Sequence, residues 1–230
     1  MGDRPRDQAR SVTILVACAL MFGAAAAAAA DRRVPVDPNA VPWNTVAKVQ
    51  TTIGSRCTGV LVAPDTVLTA AHCLYNTRTR AFLQPLSLHV LLGFVREQYR
   101  WHRLVASIML GPRVATAPWP PTDDWARLRL NEPVPLAPLA WAASISADAP
   151  ALLAGYNQDR REVLMADLDC RVTQASLVAG GATLIRHDCS GTHGTSGGPL
   201  LARHGDRWEL LGINIAAGRD SNLALSPAQP

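Results

Sequence analysis

Charge is scarce in this chain: Asp, Glu, Lys and Arg make up 17% of its 230 residues, against 48% apolar residues. No Lys/Arg block is present, so the electrostatic footprint of a nucleic-acid binder is missing. The "NTRTR" stretch around Arg78 and Arg80 reads as a solvated loop. Paired C-x-x-C spacings are absent, which removes the common zinc signature. No internal repeat is evident and helical periodicity is scarce, which turns the reading away from helical architectures. Disorder is excluded from the other side, because a chain this apolar can bury enough surface to offset its conformational entropy.

What is present is turn chemistry: 16 Gly and 17 Pro punctuate short apolar runs. The first thirty residues stand apart. "MGDRPRDQAR" carries Arg4, Arg6 and Arg10, and a charge-free run follows, ending in seven alanines, Ala24 to Ala30. A basic start, an apolar run and small residues make a secretory signal peptide over 1–30, cut near Ala30. Two alternatives stay open. The uncharged run is long enough for a retained membrane anchor, and "LVAC" at Cys18 resembles a lipoprotein box. Cleavage removes three Arg and two Asp, leaving 19 basic and 16 acidic residues, a net of +3. A secreted or periplasmic protein without stable membrane association is expected.

Five cysteines become four on processing: Cys57, Cys73, Cys170 and Cys189. An even number in a secreted chain points to disulfides. Four cysteines allow three pairings, and we expect the local one, Cys57–Cys73 and Cys170–Cys189.

Residues 31–44, "DRRVPVDPNAVPWN", read as an extended N-terminal leader. Short β-like runs follow, among them "TVAKVQTTI", "CTGVLVAP" and "LSLHVLLGF", each bounded by turn residues. "NEPVPLAPLAW" has three prolines and reads as a linker. Further strand-like runs follow it, including "VLMADLDCRV", "ATLIRHDC" and "RWELLGINIAA". The expectation is an all-β chain of two units, 45–132 and 133–230, each large enough for its own core. "TAAHCLY" can make one helical turn, and periodicity leaves "PTDDWARLRL" open to a helical reading.

Three segments carry chemistry together. His72 sits beside Cys73, where a bridge to Cys57 would give a base its fixed orientation. Asp124 stands at the entry to an apolar strand, where a partly buried carboxylate can accept from imidazole Nδ1–H; Asp123 is the neighbouring alternative. Ser196 lies in "GTSGGP", where glycines at 194, 197 and 198 let the backbone approach a reacting carbonyl. Any one of these alone is an ordinary structural residue. In the order His…Asp…Ser they suit a base, an orienting acid and a nucleophile.

At these positions the chain resembles the trypsin/chymotrypsin-like serine peptidase family, in its bacterial secreted form. The matching motifs are "TAAHC" (69–73), "DDWARL" (123–128) and "GTSGGPL" (194–200), and the resemblance runs over about residues 45–226. It implies two six-stranded β-barrels with the active site at their junction and a serine endopeptidase acting on polypeptides. It also implies a His72–Asp124–Ser196 triad and an oxyanion hole from the Gly194 and Ser196 amides. No metal or organic cofactor is implied, and a monomer is expected. Counting back from Ser196 puts Ser190 at the base of the primary pocket, with His193 at its rim and Ala216 on its far wall. Asp188 is the acidic residue nearest that base. A catalytically silent, peptidase-like binding module is the alternative.

The chain departs from the family in two linked places. Trypsin-like zymogens free an ammonium that pairs with an aspartate before the serine. Here Thr195 holds that position, and "DRRVPVDP" has no matching activation motif. A neutral residue cannot compensate a buried ammonium, so activation without that switch is expected. The Cys170–Cys189 bridge and hydrogen bonding by Thr195 are expected to shape the loop instead.

Overall fold

The computed structural model describes residues 1–2, 31–115, 117–178, 180–218 and 221–228. The expected signal peptide, with Cys18 and the alanine run, lies outside the described residues apart from Met1 and Gly2.

Twelve strands form two six-stranded antiparallel barrels, as expected from the resemblance. The first uses β1 (Val46–Thr51), β2 (Arg56–Ala63), β3 (Thr66–Thr69), β4 (Leu88–Leu92), β5 (Trp101–Leu110) and β6 (Ala126–Leu130). They close in the order β1-β2-β3-β6-β5-β4. The second uses β7 (Pro150–Gly155), β8 (Met165–Leu177), β9 (Thr183–His187), β10 (Pro199–His204), β11 (Arg207–Ala216) and β12 (Asn222–Ser226). Its ring is β7-β8-β9-β12-β11-β10. The two rings have the same connectivity, a symmetry with no counterpart in visible sequence repetition.

Closure follows from the residue pattern. β6 alternates Ala126, Leu128 and Leu130 inward with Arg127 and Arg129 outward. Leu61, Val67, Leu88, Leu92 and Leu128 are fully buried inside the first barrel. Burying one such side chain contributes roughly 1.5–3 kcal/mol, against about 0–1 kcal/mol for an exposed ion pair. The apolar interiors therefore decide the fold. Ala151, Leu153, Val172, Ile185, Leu200 and Ala224 pack inside the second barrel. Closing each sheet also removes its unpaired edges.

β8 has 13 residues because it serves two neighbours. Its first half pairs with β7 and its second half with β9, with an irregularity between Val172 and Gln174 on the β9 side. The free edge of that first half is covered by a short strand, Arg33–Pro35, with Arg33 opposite Asp167 and Pro35 opposite Met165. Part of the expected leader is thus an added strand on the second barrel.

The helical alternative for "PTDDWARLRL" does not hold. Pro121–Asp123 makes a 3-10 turn. The chain then enters β6, which is paired with β3 on one side and β5 on the other. Two ladders of backbone hydrogen bonds outweigh a weak local helical preference. "TAAHCLY" makes its turn, a 3-10 segment over Ala71–Leu74. Among the described residues, no helix is long and apolar enough to cross a membrane.

Candidate active site

Both disulfides form in the expected local pairing. Cys57–Cys73 joins the start of β2 to the turn that carries His72. Cys170–Cys189 joins β8 to the segment that leads to Ser190. The sulfurs of both bridges fall in clusters of ligand-type residues, Cys57–His72–Cys73 and Cys170–Asp188–Cys189. Bridged sulfurs are not thiolates, so neither cluster offers a thiolate metal site.

His72 lies in its 3-10 turn with a side chain 38% exposed. Both oxygens of Asp124 are committed to it: Oδ2 lies 2.7 Å from His72 Nδ1, and Oδ1 accepts the His72 backbone N–H at 2.9 Å. This double attachment fixes the imidazole ring and leaves Nε2 as its unused nitrogen. Asp124 is only 8% exposed, so water competes little for its carboxylate. The neighbouring Asp123 points elsewhere, to the Arg113 guanidinium at 2.6 Å.

Ser196 comes from the loop before β10, and three contacts seat it against the first barrel. Its carbonyl accepts the Thr58 N–H at 2.9 Å and lies 3.8 Å from Cys73 Sγ. Gly197 has φ of +79°, and a Cβ there would fall 2.1 Å from the Thr58 carbonyl oxygen. Only glycine permits that approach. The Ser196 loop thus rests on the strand tied by disulfide to the His72 turn. The Ser196 hydroxyl itself makes no hydrogen bond among the described residues.

The amide expected to bind an oxyanion is oriented by a bond on the other side of its peptide. The His193 carbonyl accepts the Gln158 N–H at 2.7 Å. In a trans peptide the carbonyl and the following N–H point in opposite directions, so the Gly194 N–H is turned away from Gln158. Neither that amide nor the Ser196 amide has a partner among the described residues. Gly194 has φ of +96°, and a Cβ there would sit 2.4 Å from the Tyr156 carbonyl oxygen.

Thr195 is buried, and its hydroxyl donates to Asn157 Oδ1 at 2.6 Å while accepting the Thr192 N–H at 3.2 Å. Asn157 is itself held by its Nδ2, which donates to the Gly155 carbonyl at 2.9 Å. Thr58 completes this arrangement: its hydroxyl donates to the Gly194 carbonyl at 2.7 Å and accepts the Tyr156 N–H at 2.9 Å. Neither Asn157 nor Thr58 was legible as a site residue. Adjacency to Cys57 was the one hint for Thr58.

The expected pocket residues are placed as follows. Ser190 donates its N–H to Asp167 Oδ2 at 2.7 Å, and its hydroxyl lies 3.4 Å from the Arg32 amide nitrogen. His193 is exposed. Ala216 is exposed at the end of β11. Asp188 is engaged elsewhere, accepting the Arg171 N–H at 2.7 Å and lying 3.7 Å from Arg32.

Comparison with known proteins agrees with this fold. The family model described as Trypsin matches residues 32–227. A glutamyl endopeptidase of Bacillus licheniformis is 38% identical over 52 residues, which cover 23% of this chain and 16% of that relative. A solved Glu endopeptidase superposes with a TM-score of 0.73 at 19% identity, covering 87% of this chain and 93% of its own. The Rv3671c protease of M. tuberculosis, in an inactive form, superposes with a TM-score of 0.56 at 19% identity, covering 80% of this chain and 81% of its own. At such identities these two structures speak for the fold.

Proposed function

The chain belongs to the trypsin family, and from that premise we propose that it is a serine endopeptidase working through His72, Asp124 and Ser196. The observation that carries this reading is the attachment of both Asp124 oxygens to His72, which leaves one imidazole nitrogen to serve as base. His72 Nε2 takes the Ser196 proton as Oγ attacks the scissile carbonyl, and the Asp124 carboxylate stabilises the imidazolium. The outward Gly194 amide and the Ser196 amide receive the developing oxyanion. His72 then protonates the departing amine, and in the second half it activates water to release the acyl group. The missing hydrogen bond between Ser196 and His72 agrees with such bonds tightening only when substrate is bound.

No inserted ammonium shapes the loop in this reading. The Thr195–Asn157 and Thr58–Gly194 hydrogen bonds support the same backbone with neutral groups, so the enzyme needs no trypsin-like activation. The primary pocket, with Ser190 at its base and His193 and Ala216 around it, takes a non-basic side chain. Asp188 is already committed to Arg171, which leaves it poorly placed to receive a substrate cation. Two disulfides suit a secreted or periplasmic protein released by cleavage near Ala30.

A fluorophosphonate probe tests the reading on the secreted chain. Labelling of wild type and none of Ser196→Ala is expected, together with hydrolysis of an unfolded polypeptide. Folded wild type that does not label would leave the chain a silent, peptidase-like binding module.

A further inference from the structure

Two consecutive arginines at the start of the described chain reach the loop that carries the nucleophile. Arg33 opens the short strand alongside β8, and Arg32 immediately precedes it. Arg33 is 6% exposed at its side chain and binds both oxygens of Asp159, at 3.0 and 2.7 Å. It also holds Asp31 at 2.8 and 2.9 Å. Its Nη1 lies 3.5 Å from the Thr192 hydroxyl, which itself lies 3.3 Å from Asp159 Oδ1. Thr192 in turn donates its N–H to Thr195, so two links join Arg33 to the residue before Ser196.

Arg32 works at the other end of the same loop. Its Nε lies 3.1 Å and its Nη2 3.0 Å from Asp167 Oδ2, and its Nη2 donates to the Asp188 carbonyl at 2.7 Å. The Asp167 carboxylate is fully buried, and the oxygen that meets Arg32 also accepts the Ser190 N–H. A buried carboxylate of this kind needs a cation, and among the described residues Arg32 is its one salt-bridge partner. The loop is therefore held at Ser190 through one arginine and at Thr192 through the next.

We propose that Arg32 and Arg33 are positioning residues that hold the nucleophile loop in its working shape, Arg32 through Ser190 and Arg33 through Thr192. This rests on the endopeptidase reading and extends it. The trypsin-like design spends a backbone ammonium on this task; here two side-chain guanidinium groups perform it from outside the loop. Guanidinium suits the role because its planar fork meets both oxygens of Asp159 at once, which a lysine ammonium cannot do.

The test uses the full secreted chain with Arg33→Ala, Arg33→Lys and Asp159→Asn. Arg33→Ala is expected to lower kcat by roughly 10- to 100-fold, the scale set by small misplacements of reacting groups. KM should move by less than about threefold, and Arg33→Lys should recover part of the loss. Hydrogen exchange of amides 190–197, read in a Ser196→Ala background, should accelerate while the β2 and β6 amides keep their protection. Asp159→Asn should repeat both effects and covers the case in which Arg33→Ala fails to fold. Wild-type kcat with unchanged loop exchange in folded Arg33→Ala or Asp159→Asn would overturn the proposal. A wild type that shows no Ser196-dependent labelling sinks the endopeptidase reading instead, and the exchange measurement still decides the clamp.

Discussion

Thr195 and Asn157 are both buried and share a 2.6 Å hydrogen bond from hydroxyl to side-chain carbonyl. The bond joins the residue before Ser196 to the turn after β7, across 38 positions of sequence. It sits beside the peptide whose N–H is proposed to receive the oxyanion, so its removal has a definite consequence.

Thr195→Val keeps the shape and deletes the hydroxyl, so Asn157 Oδ1 loses its shortest bond and keeps the longer ones from the Thr192 N–H at 3.3 Å and hydroxyl at 3.4 Å. Losing one such hydrogen bond costs about 0.5–1.5 kcal/mol. Urea unfolding should show a loss of that size, with kcat reduced and Thr195→Ser close to wild type in both. Equal stability of Thr195→Val and wild type would show that the hydroxyl is dispensable.

Asp123 and Asp124 are adjacent in sequence and opposite in role. Asp124→Asn should lower kcat by about 10⁴, because a neutral amide cannot hold the imidazole in the required tautomer or stabilise its charged form. Asp123→Asn loses only its pairing with a largely exposed Arg113 and should change kcat less than about threefold. Steady-state kinetics on a peptide ester distinguishes them; similar losses for both variants would contradict the assignment.

The side chains of Arg32 and Arg33 reach the loop and its acidic neighbours. Placing Gly-Ser ahead of Asp31 should therefore leave kcat within about threefold of wild type, since Asp31 is an exposed end of the network. Deleting residues 31–33 should remove most activity while both disulfides still form. Loss of activity on simple extension would instead indicate an inserted ammonium.

His187 is fully buried at the end of β9, with Nε2 3.1 Å from Asn214 Oδ1. Burial, partly offset by that hydrogen bond, lowers its pKa to about 4. Between the ordinary value near 6.5 and about 4, the unfolded chain binds a proton that the folded chain does not. Stability is therefore fully present above about pH 6.5 and falls as the pH drops toward 4, by up to about 3 kcal/mol from this residue. His102, also lowered mainly by burial, adds to the same trend. Asp31, held near 2 chiefly by its hydrogen bond to Arg33, titrates below this window. Urea midpoints from pH 7 to 4.5 should fall for wild type and fall clearly less for His187→Gln. Parallel slopes would show that His187 does not couple.

The residue sequence alone carried the class of the fold and singled out the candidate site. His72, Asp124 and Ser196 stand out by residue type, chain order and immediate neighbours. The alternation of β6 and the four cysteines are local properties as well. What remained hidden depends on residues brought together from distant positions. A period of two tells which face of a strand is buried and not which strand lies beside it, so the matching closure of the two barrels appeared only in the pairings. The choice of Asp124 over Asp123 is made by one 3-10 turn that aims the two carboxylates apart. Thr195 could be seen to lack a charge, but its partner Asn157 lies beyond any local pattern. Arg32 and Arg33 read as part of a proline-rich leader until β8 supplied an edge for the strand and Asp167 for Arg32, and the turn before β8 supplied Asp159 for Arg33. Tertiary packing decides these contacts, because it brings together residues 38 to 135 positions apart that no local pattern relates.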